Sequence, residues 1–277
     1  MKLEFEKMHG IGNDFVVLAK PAMSFTLRPE EIRRIADRRF GIGCDQVLIA
    51  AEADGDDADV TMQIFNADGS SAKQCGNGIR CFAQFVRDRG IVANPSSIRV
   101  ATPSGVVVAD FLQDGRVRAN LGPPDFNPAA IPMRVGAQRD SYPLRLDGEE
   151  FTIGAVSMGN PHAVIIVDDA ESAPVSSAGP KIQTHDWFPD GVNVGFLQLL
   201  SRDRVRLRVF ERGVGETLAC GSGACAAVAV GVRRDLLDRC VRVDLNGGSL
   251  DIEWEDDQAP MWMTGPSTRV FQGEIEL

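Results

Sequence analysis

Two cysteines stand in the same sequence context, and a thiol in that context can act as an acid or a base. Residues 64–81 read IFNADGSSAKQCGNGIRC, and residues 209–225 read VFERGVGETLACGSGAC. In both, Cys-Gly-x-Gly leads into an apolar stretch typical of a helix. A helix N-terminus lowers the pKa of a cysteine placed there. Two such thiols, Cys75 and Cys220, could remove a proton from one face of a carbon and return one to the other, which is stereoinversion.

The backbone N–H groups after each cysteine predict a site for an anion. Those of Gly76, Asn77, Gly221 and Ser222 lie where a helix would begin, and N–H groups at a helix start bind carboxylates. A carboxylate held there is stabilised as negative charge moves onto it, which makes a proton on the adjacent carbon easier to remove. The predicted chemistry is therefore inversion at a carbon next to a carboxylate.

Neither a metal nor a cofactor is expected. Cys75 and Cys81 lie six positions apart and Cys220 and Cys225 five apart, without the CxxC spacing of zinc sites. The chain has five lysines and the second cysteine phrase has none, which disfavours pyridoxal phosphate. The remaining cysteines are predicted to be core thiols: Cys44, Cys81, Cys225 and Cys240.

Landmarks around the cysteines recur in the same order, which indicates an internal duplication. The two cysteines are 145 residues apart. GIGNDFVVL around Asn13 has a counterpart in MGNPHAVIIV around Asn160, and Gln46 has a counterpart in Asn193, both at a spacing of 147 residues. Repeats of this length are half-molecules rather than solenoid units. We expect two similar halves, each presenting one cysteine.

The elements that must position these residues are short strands and a few helices. A helix over 29–40 is predicted to begin at Pro29 and to end before Gly41. Short strands are predicted at QVLIA and VTMQIF. A helix after Cys75 should end at Gly90, and its counterpart SGACAAVAVGV is apolar on every side and should be buried. The face that the first of these two helices should bury holds Ile79, Phe82, Ala83 and Val86. The proline-rich stretch 121–132 is the predicted domain boundary.

Composition bounds the class of protein. With 277 residues, 44% hydrophobic and 25% charged, the chain is predicted to be an ordinary globular protein of about two domains. The net charge of −10 argues against nucleic acid or an anionic membrane as a main partner. The opening MKLEFEKMHG has no apolar run typical of a signal peptide, so a reducing cytoplasm is expected.

The segments MHGIGNDF, FNADGSSAKQCGNGIRC, MGNPHAV, ERGVGETLACGSGACA and MTGPSTRVFQGEI closely resemble the signature segments of the diaminopimelate epimerase family. The resemblance implies a cofactor-independent isomerase that interconverts LL- and meso-diaminopimelate, in lysine and cell-wall precursor biosynthesis. It implies an α+β fold of two pseudo-symmetric domains, each a mainly antiparallel sheet or barrel around a central helix, with the active site in the cleft between them. The domains would be 1–120 plus 267–277, and 121–266. A homodimer is also expected.

The resemblance also assigns roles by matching motif. Cys75 and Cys220 would be the acid/base pair, and Glu211 and His162 would lie near the reacting amino group. Arg212 is the expected partner of the distal carboxylate. The carboxylate at the reacting carbon would be held by the amides of Gly76, Asn77, Gly221 and Ser222. The remainder of the substrate would be read by Asn13, Gln46, Asn66, Asn160, Asn193 and Arg212.

Two alternatives stay open on the residues. One is a proline or hydroxyproline racemase on the same two-thiol plan, although that group tends to place His after Cys-Gly, where this chain has Asn77. The other is a thiol redox protein or a catalytically silent amino-acid-binding module. Two thiols that reach the same carbon would also be close enough to form a Cys75–Cys220 disulfide after a modest movement, which predicts reversible oxidative inactivation.

Overall fold

A computed structural model of the chain describes residues 2–19, 26–53, 55–72, 75–93 and 95–277. The chain divides into two units, Met1–Asn120 with Thr264–Leu277, and Leu121–Met263. Within the described ranges, no helix is long and apolar enough to cross a membrane.

Helices and strands alternate irregularly along the described residues. The helices are α1 Pro29–Ala36, α2 Gly76–Asp88, α3 Val175–Gln183 and α4 Gly221–Arg233. The strands are β1 Lys2–Gly10, β2 Asn13–Ala19, β3 Gln46–Ala51, β4 Val60–Asn66, β5 Ser97–Thr102, β6 Gly105–Phe111, β7 Val117–Asn120, β8 Tyr142–Leu146, β9 Glu149–Ser157, β10 Pro161–Val167, β11 Asn193–Ser201, β12 Arg204–Glu211, β13 Gly215–Thr217, β14 Cys240–Leu245, β15 Gly248–Glu253, β16 Trp262–Gly265 and β17 Thr268–Glu276.

The two units share one pattern of strand pairing. In the first, the strand order is β17-β1-β2-β3-β4-β5-β6-β7, antiparallel except for the parallel pairs β2–β3 and β4–β5. In the second, the order is β8-β9-β10-β11-β12-β14-β15, again antiparallel except for two parallel pairs, β10–β11 and β12–β14. The short strand β13 adds a hairpin to β12. The α+β class with two pseudo-symmetric units is confirmed.

Strand register confirms the duplication at the level of single residues. Phe15 lies opposite Gln46 in the β2–β3 pair, and His162 lies opposite Asn193 in the β10–β11 pair. His162 is 147 residues after Phe15, and Asn193 is likewise 147 residues after Gln46. Because a slip of one residue would turn every side chain to the other face, equal register means that equivalent side chains face the same way.

Each unit is built around its own helix. α2 contacts β1, β2, β3, β6 and β7, whereas α4 contacts β9, β10, β11, β12 and β15. The predicted inner face of α2 is completely buried at Ile79, Phe82, Ala83 and Val86. α4 is buried on nearly all sides, as its uniformly apolar sequence predicts. These contacts fix the position of each helix, and so of its N-terminal end, against the sheet of its own unit.

Two helix predictions needed correction. α1 begins at Pro29 as predicted but ends at Ala36, not at 40. The carboxylate of Asp37 accepts the N–H groups of Arg39 and Phe40 at 2.7 Å, which turns the chain away from the helix. α3 was not predicted, because Pro180 stands inside it, but its residues Val175, Ala178 and Ile182 are buried against the second sheet.

Candidate active site

Both cysteines of the repeated phrase are helix N-caps. Cys75 precedes α2, and its Sγ accepts the N–H of Gly78 at 3.3 Å. Cys220 is the N-cap of α4; within the described part of the chain its side chain makes no cap hydrogen bond, although the nearby N–H of Gly223 acts to lower the pKa of its thiol. A Cβ on either glycine would lie 3.1 Å from the neighbouring Sγ. The second glycine of Cys-Gly-x-Gly is therefore needed to leave room for the sulfur at the helix start.

In the first unit, Asn13 links the thiol to the rest of the predicted site. Its Oδ1 lies 3.8 Å from the Sγ of Cys75 and accepts the Nδ2 of Asn77 at 3.4 Å. Its Nδ2 donates to Asp45 at 2.8 Å. Asn77 is buried and Cys75 is partly exposed, so the sulfur sits at the edge of the polar cluster.

Gln46 and Asn66 form a second polar pair in this unit. They lie directly opposite each other at the ends of β3 and β4. Gln46 Nε2 donates to Asn66 Oδ1 at 3.0 Å, and Asn66 Nδ2 donates to Ser70 Oγ at 3.1 Å. Both side chains are half-buried, which keeps amide groups within reach of a ligand.

In the second unit, His162 joins Asn160 to the helix start of α4. Its Nε2 lies 2.9 Å from Asn160 Oδ1 and 3.1 Å from Ser222 Oγ. Ser222 Oγ is in turn 3.7 Å from Cys220 Sγ. Burial, together with the nearby positive charge of Arg212, lowers the pKa of His162 to about 3. The imidazole is therefore neutral at physiological pH.

Cys220 departs from the sequence expectation in its acidity. A helix start was expected to lower the pKa of this thiol, but burial raises it well above 9.0. The negative charge of Glu211 raises it further, against the smaller effects of the Gly223 N–H and the Ser222 hydroxyl. Thr217 Oγ1 donates to Glu211 Oε1 at 2.5 Å and so holds the carboxylate in place. Cys220 is a neutral thiol beside a carboxylate.

The predicted recognition residues Asn193 and Arg212 lie together. Asn193 Nδ2 donates to the carbonyl of Pro161 at 3.0 Å, and its Oδ1 accepts the backbone N–H of Arg212 at 2.9 Å. The Arg212 side chain is exposed, and its Nη1 donates to the carbonyl of Asp190 at 3.0 Å. Asn193 is buried, and its side chain bonds the backbone groups of Pro161 and Arg212 named above. The Arg212 guanidinium, in contrast, is exposed at the surface.

The other four cysteines have different environments. Burial raises the pKa of Cys44 and of Cys81 to about 12, so these thiols are inert. Cys225 is buried in α4. The prediction of a core position is wrong for Cys240, which is exposed because the first residue of β14 points away from the core. Among the described residues, no group of three or more His, Cys, Asp or Glu could hold a metal ion.

Sequence reasoning missed three side chains that touch the site: Asp45, Thr217 and Arg80. Asp45 stands next to Gln46, and Thr217 and Arg80 lie inside the two cysteine phrases. Their positions were visible in the sequence, but their partners were not. Arg80, for example, bonds Asn77 on one side and the carbonyl of Pro266 on the other, 186 residues away.

Comparison with known proteins identifies close relatives over the whole chain. A family model described as diaminopimelate epimerase matches residues 5–127 and 154–270. The diaminopimelate epimerase of Teredinibacter turnerae is 53% identical over 277 residues, covering 100% of both chains. That of Nitrosomonas europaea is 52% identical, also covering 100% of both.

Solved structures of lower sequence identity share the fold. A phenazine biosynthesis protein of the PhzF family from Bacillus anthracis has a TM-score of 0.71 at 16% identity, covering 100% of both chains. A hydroxyproline epimerase from Agrobacterium vitis, solved with trans-4-hydroxy-L-proline, has a TM-score of 0.70 at 15% identity, covering 99% of this chain and 91% of its own. At these identities the likeness concerns the fold alone.

Proposed function

The chain belongs to the diaminopimelate epimerase family, and on that basis we propose how its residues carry out the family's reaction. The protein is an isomerase that interconverts LL- and meso-diaminopimelate, a step of lysine biosynthesis. The observation that carries the mechanism is the repeated position: each unit presents one cysteine as the N-cap of its central helix, three residues before a glycine that leaves room for the sulfur.

In the proposed mechanism, Cys75 and Cys220 act on opposite faces of the α-carbon. The thiolate of one takes the α-proton, so that a C–H bond breaks and an S–H bond forms. The thiol of the other then gives its proton to the opposite face. The electron pair left on carbon spreads into the substrate carboxylate, which the N–H groups at the two helix starts stabilise. Those N–H groups belong to Gly76, Asn77, Gly221 and Ser222.

The protonation states of the second unit give Glu211 and His162 their proposed roles. Because burial and the Glu211 carboxylate favour the neutral thiol of Cys220, we propose that Glu211 takes the thiol proton and so makes Cys220 a base. His162 is neutral and in contact with Asn160 and Ser222, so it orients the cap of α4 without adding charge.

The polar residues that differ between the units are proposed to recognise the far end of the substrate. Asn66 ends β4, whereas Glu211 and Arg212 stand at the equivalent end of β12. A guanidinium binds a carboxylate in a bidentate manner, so Arg212 is the proposed partner of the distal carboxylate. The remaining recognition residues are proposed to be Asn13, Gln46, Asn160 and Asn193.

The test is solvent deuterium incorporation into LL-diaminopimelate in heavy water without added cofactor. We expect Cys75→Ser and Cys220→Ser each to abolish incorporation at the α-carbon, whereas Cys240→Ser, an exposed thiol outside the site, keeps the wild-type rate. Full activity of Cys75→Ser or Cys220→Ser would refute the two-thiol mechanism. Proline offered in parallel tests the racemase alternative, and we expect no exchange with it.

Location and assembly follow as further proposals. The protein is proposed to work in the cytoplasm, supported by six cysteines that are all in the reduced form. A homodimer is proposed as the state in solution, supported by exposed apolar side chains at Val270 and Phe271 of β17. Sedimentation equilibrium measures the mass, and a monomer at micromolar concentration would refute the dimer.

A further inference from the structure

A pair of polar residues occurs at equivalent places in both units, but its hydrogen bond runs in opposite directions. In the first unit, Asn77 Nδ2 donates to Asn13 Oδ1 at 3.4 Å. In the second unit, Asn160 Nδ2 donates to Ser222 Oγ at 3.3 Å. Asn13, the first residue of β2, thus accepts from the helix start of its unit, whereas Asn160, just before β10, donates to the helix start of the other.

The reversal changes which group the side-chain oxygen of each asparagine faces. The Oδ1 of Asn13 lies 3.8 Å from the sulfur of Cys75. The Oδ1 of Asn160 instead faces His162 Nε2, at 2.9 Å. The thiol of Cys75 can therefore donate a hydrogen bond to an amide oxygen. The sulfur of Cys220 instead lies near the Ser222 hydroxyl and the Glu211 carboxylate.

Arg80 explains the direction of the bond in the first unit. Its side chain is completely buried, and its Nη2 donates to Asn77 Oδ1 at 3.0 Å. A guanidinium has donors only, so the oxygen of the Asn77 amide must face Arg80 and its Nδ2 must point the other way. The position equivalent to Arg80 in the second unit, 145 residues on, is Cys225, which lacks such a fork of donors.

Asp45 fixes the other end of the same chain of amides. A carboxylate only accepts, so the Nδ2 of Asn13 must face Asp45 Oδ2, 2.8 Å away. Arg38 Nη2 in turn donates to Asp45 Oδ1 at 2.7 Å. A donor-only cation at one end and an acceptor-only anion at the other thus orient the two amides together, with the oxygen of Asn13 toward Cys75.

We propose that Arg80 is a positioning residue for epimerisation: acting through Asn77 and Asn13, it holds an acceptor oxygen against the sulfur of Cys75. The inference rests on the proposed catalytic role of Cys75. In the enzyme without substrate, Cys75 is then a thiol that donates a hydrogen bond to Asn13, and Cys220 is a thiol next to the Glu211 carboxylate. The two thiols are matched in position but are held by different partners.

A purely structural role for Arg80 makes a different prediction. Arg80 also donates to the carbonyls of Gly76 at 3.4 Å and of Pro266 at 3.3 Å, which ties α2 to the segment before β17. Loss of those two bonds would affect the enzyme whatever stands at position 77. A positioning role requires the Asn77 amide, so the two roles separate in a double-variant cycle.

The cycle is measured on the whole enzyme as deuterium incorporation at the α-carbon of LL-diaminopimelate. Arg80→Lys keeps a donor-only side chain, Arg80→Gln can donate or accept, and Arg80→Met does neither. Each is made alone and together with Asn77→Ser, which installs the residue type of Ser222. Thermal unfolding of every variant shows that it is folded at the assay temperature.

We expect Arg80→Lys to keep most of the rate, and Arg80→Gln and Arg80→Met to lose about 10- to 100-fold, the range for a hydrogen bond to a charged group. With Asn77→Ser present, all three should lie within about threefold of Asn77→Ser alone. Equal losses with and without Asn77→Ser would overturn the inference, as would a loss in Arg80→Lys equal to that in Arg80→Met.

A second variant tests the relay with Arg80 in place. Asn77→Asp keeps an acceptor for Arg80 but removes the donor to Asn13, so we expect a loss similar to that of Arg80→Gln. A wild-type rate would overturn the inference. Cys75→Ser is measured beside it. If Cys75→Ser were fully active, the two-thiol mechanism and the role of Arg80 would both fail; if it is inactive and the Arg80 losses are additive, only the role of Arg80 fails.

Discussion

At the scale of single residues, burial and then the carboxylate of Glu211 raise the pKa of Cys220. The thiol is buried, and the carboxylate beside it further disfavours a second negative charge. Such a pair can hold one proton between its two members and pass it from sulfur to carboxylate when substrate arrives. The raised pKa favours the thiol form of Cys220 in the absence of substrate, and in the proposed mechanism the thiolate forms when Glu211 takes the proton.

Replacing Glu211 with Gln should expose this effect of the carboxylate. Removal of the negative charge lowers the pKa of Cys220, so iodoacetamide should alkylate it faster at a fixed mildly alkaline pH, about tenfold for each pKa unit. Epimerisation should fall, because Gln cannot accept the proton. Peptide mass spectrometry measures both thiols in one sample, with Cys75 as the internal control. An unchanged rate at Cys220 would show that Glu211 does not govern its acidity.

His162 should make stability depend on pH. Its pKa is about 3 in the folded chain and 6.5 in the unfolded chain, so the unfolded chain alone binds a proton between these values. Its contribution is fully present above about pH 6.5 and is lost as the pH falls toward about 3. From about pH 7.5 to about pH 5.5, wild type should lose about 1.4 kcal/mol more unfolding free energy than His162→Gln. Urea unfolding measures this, and equal losses would contradict a buried neutral His162.

At the scale of elements, the starts of α2 and α4 are shaped by their second glycines. Ala at Gly78 or Gly223 would bring a Cβ within 3.1 Å of the capping sulfur. We expect each Ala variant to lose at least about tenfold in kcat because the thiol is displaced, with little change in Tm, since Ala favours a helix over Gly by about 1 kcal/mol.

Gly136→Ala is the matched control for these two variants, because a Cβ there meets nothing within 4 Å. It should leave both kcat and Tm unchanged. Wild-type kcat in Gly78→Ala or Gly223→Ala would show that the cap has room for a methyl group and that the sulfur position is not set by these glycines.

The helix that the sequence did not predict shows how packing overrides propensity. α3 contains Gly179 and Pro180, both poor helix residues. A Cβ on Gly179 would lie 2.8 Å from the ring of Phe210, so the glycine is required for close packing on β12. Burial of the apolar face of α3 against the second sheet offsets the unfavourable propensity.

At the scale of the whole molecule, the two-thiol mechanism has a redox consequence. If both sulfurs lie about 3–3.5 Å from one carbon, they are about 7 Å apart with substrate bound. A modest movement could then join them. We expect an oxidant to inactivate the enzyme by forming a Cys75–Cys220 disulfide, dithiothreitol to restore activity, and diaminopimelate to protect. Peptide mapping of oxidised, inactive enzyme checks the bond; two free thiols there would contradict it, and Cys240→Ser controls for the exposed cysteine.

The sequence by itself determined the two thiols, the helix starts that carry them, the duplication and the family. These features are encoded over a few neighbouring residues: a capping Cys, glycines at fixed spacing and an apolar helix face. Each is also written twice, at spacings of 145 and 147 residues. Local patterns of this kind fix local structure whatever the rest of the chain does.

Only the tertiary structure decided the electrostatics of the site. The raised pKa of Cys220, the neutral His162 and the orientation of the Asn77 amide by Arg80 all depend on desolvation or on partners brought together by folding. Burial is a property of the packed molecule, and it outweighs the helix-start effect that the sequence predicts for Cys220. For the same reason, the sequence shows two equal cysteine phrases, while the folded chain gives their two sulfurs different partners.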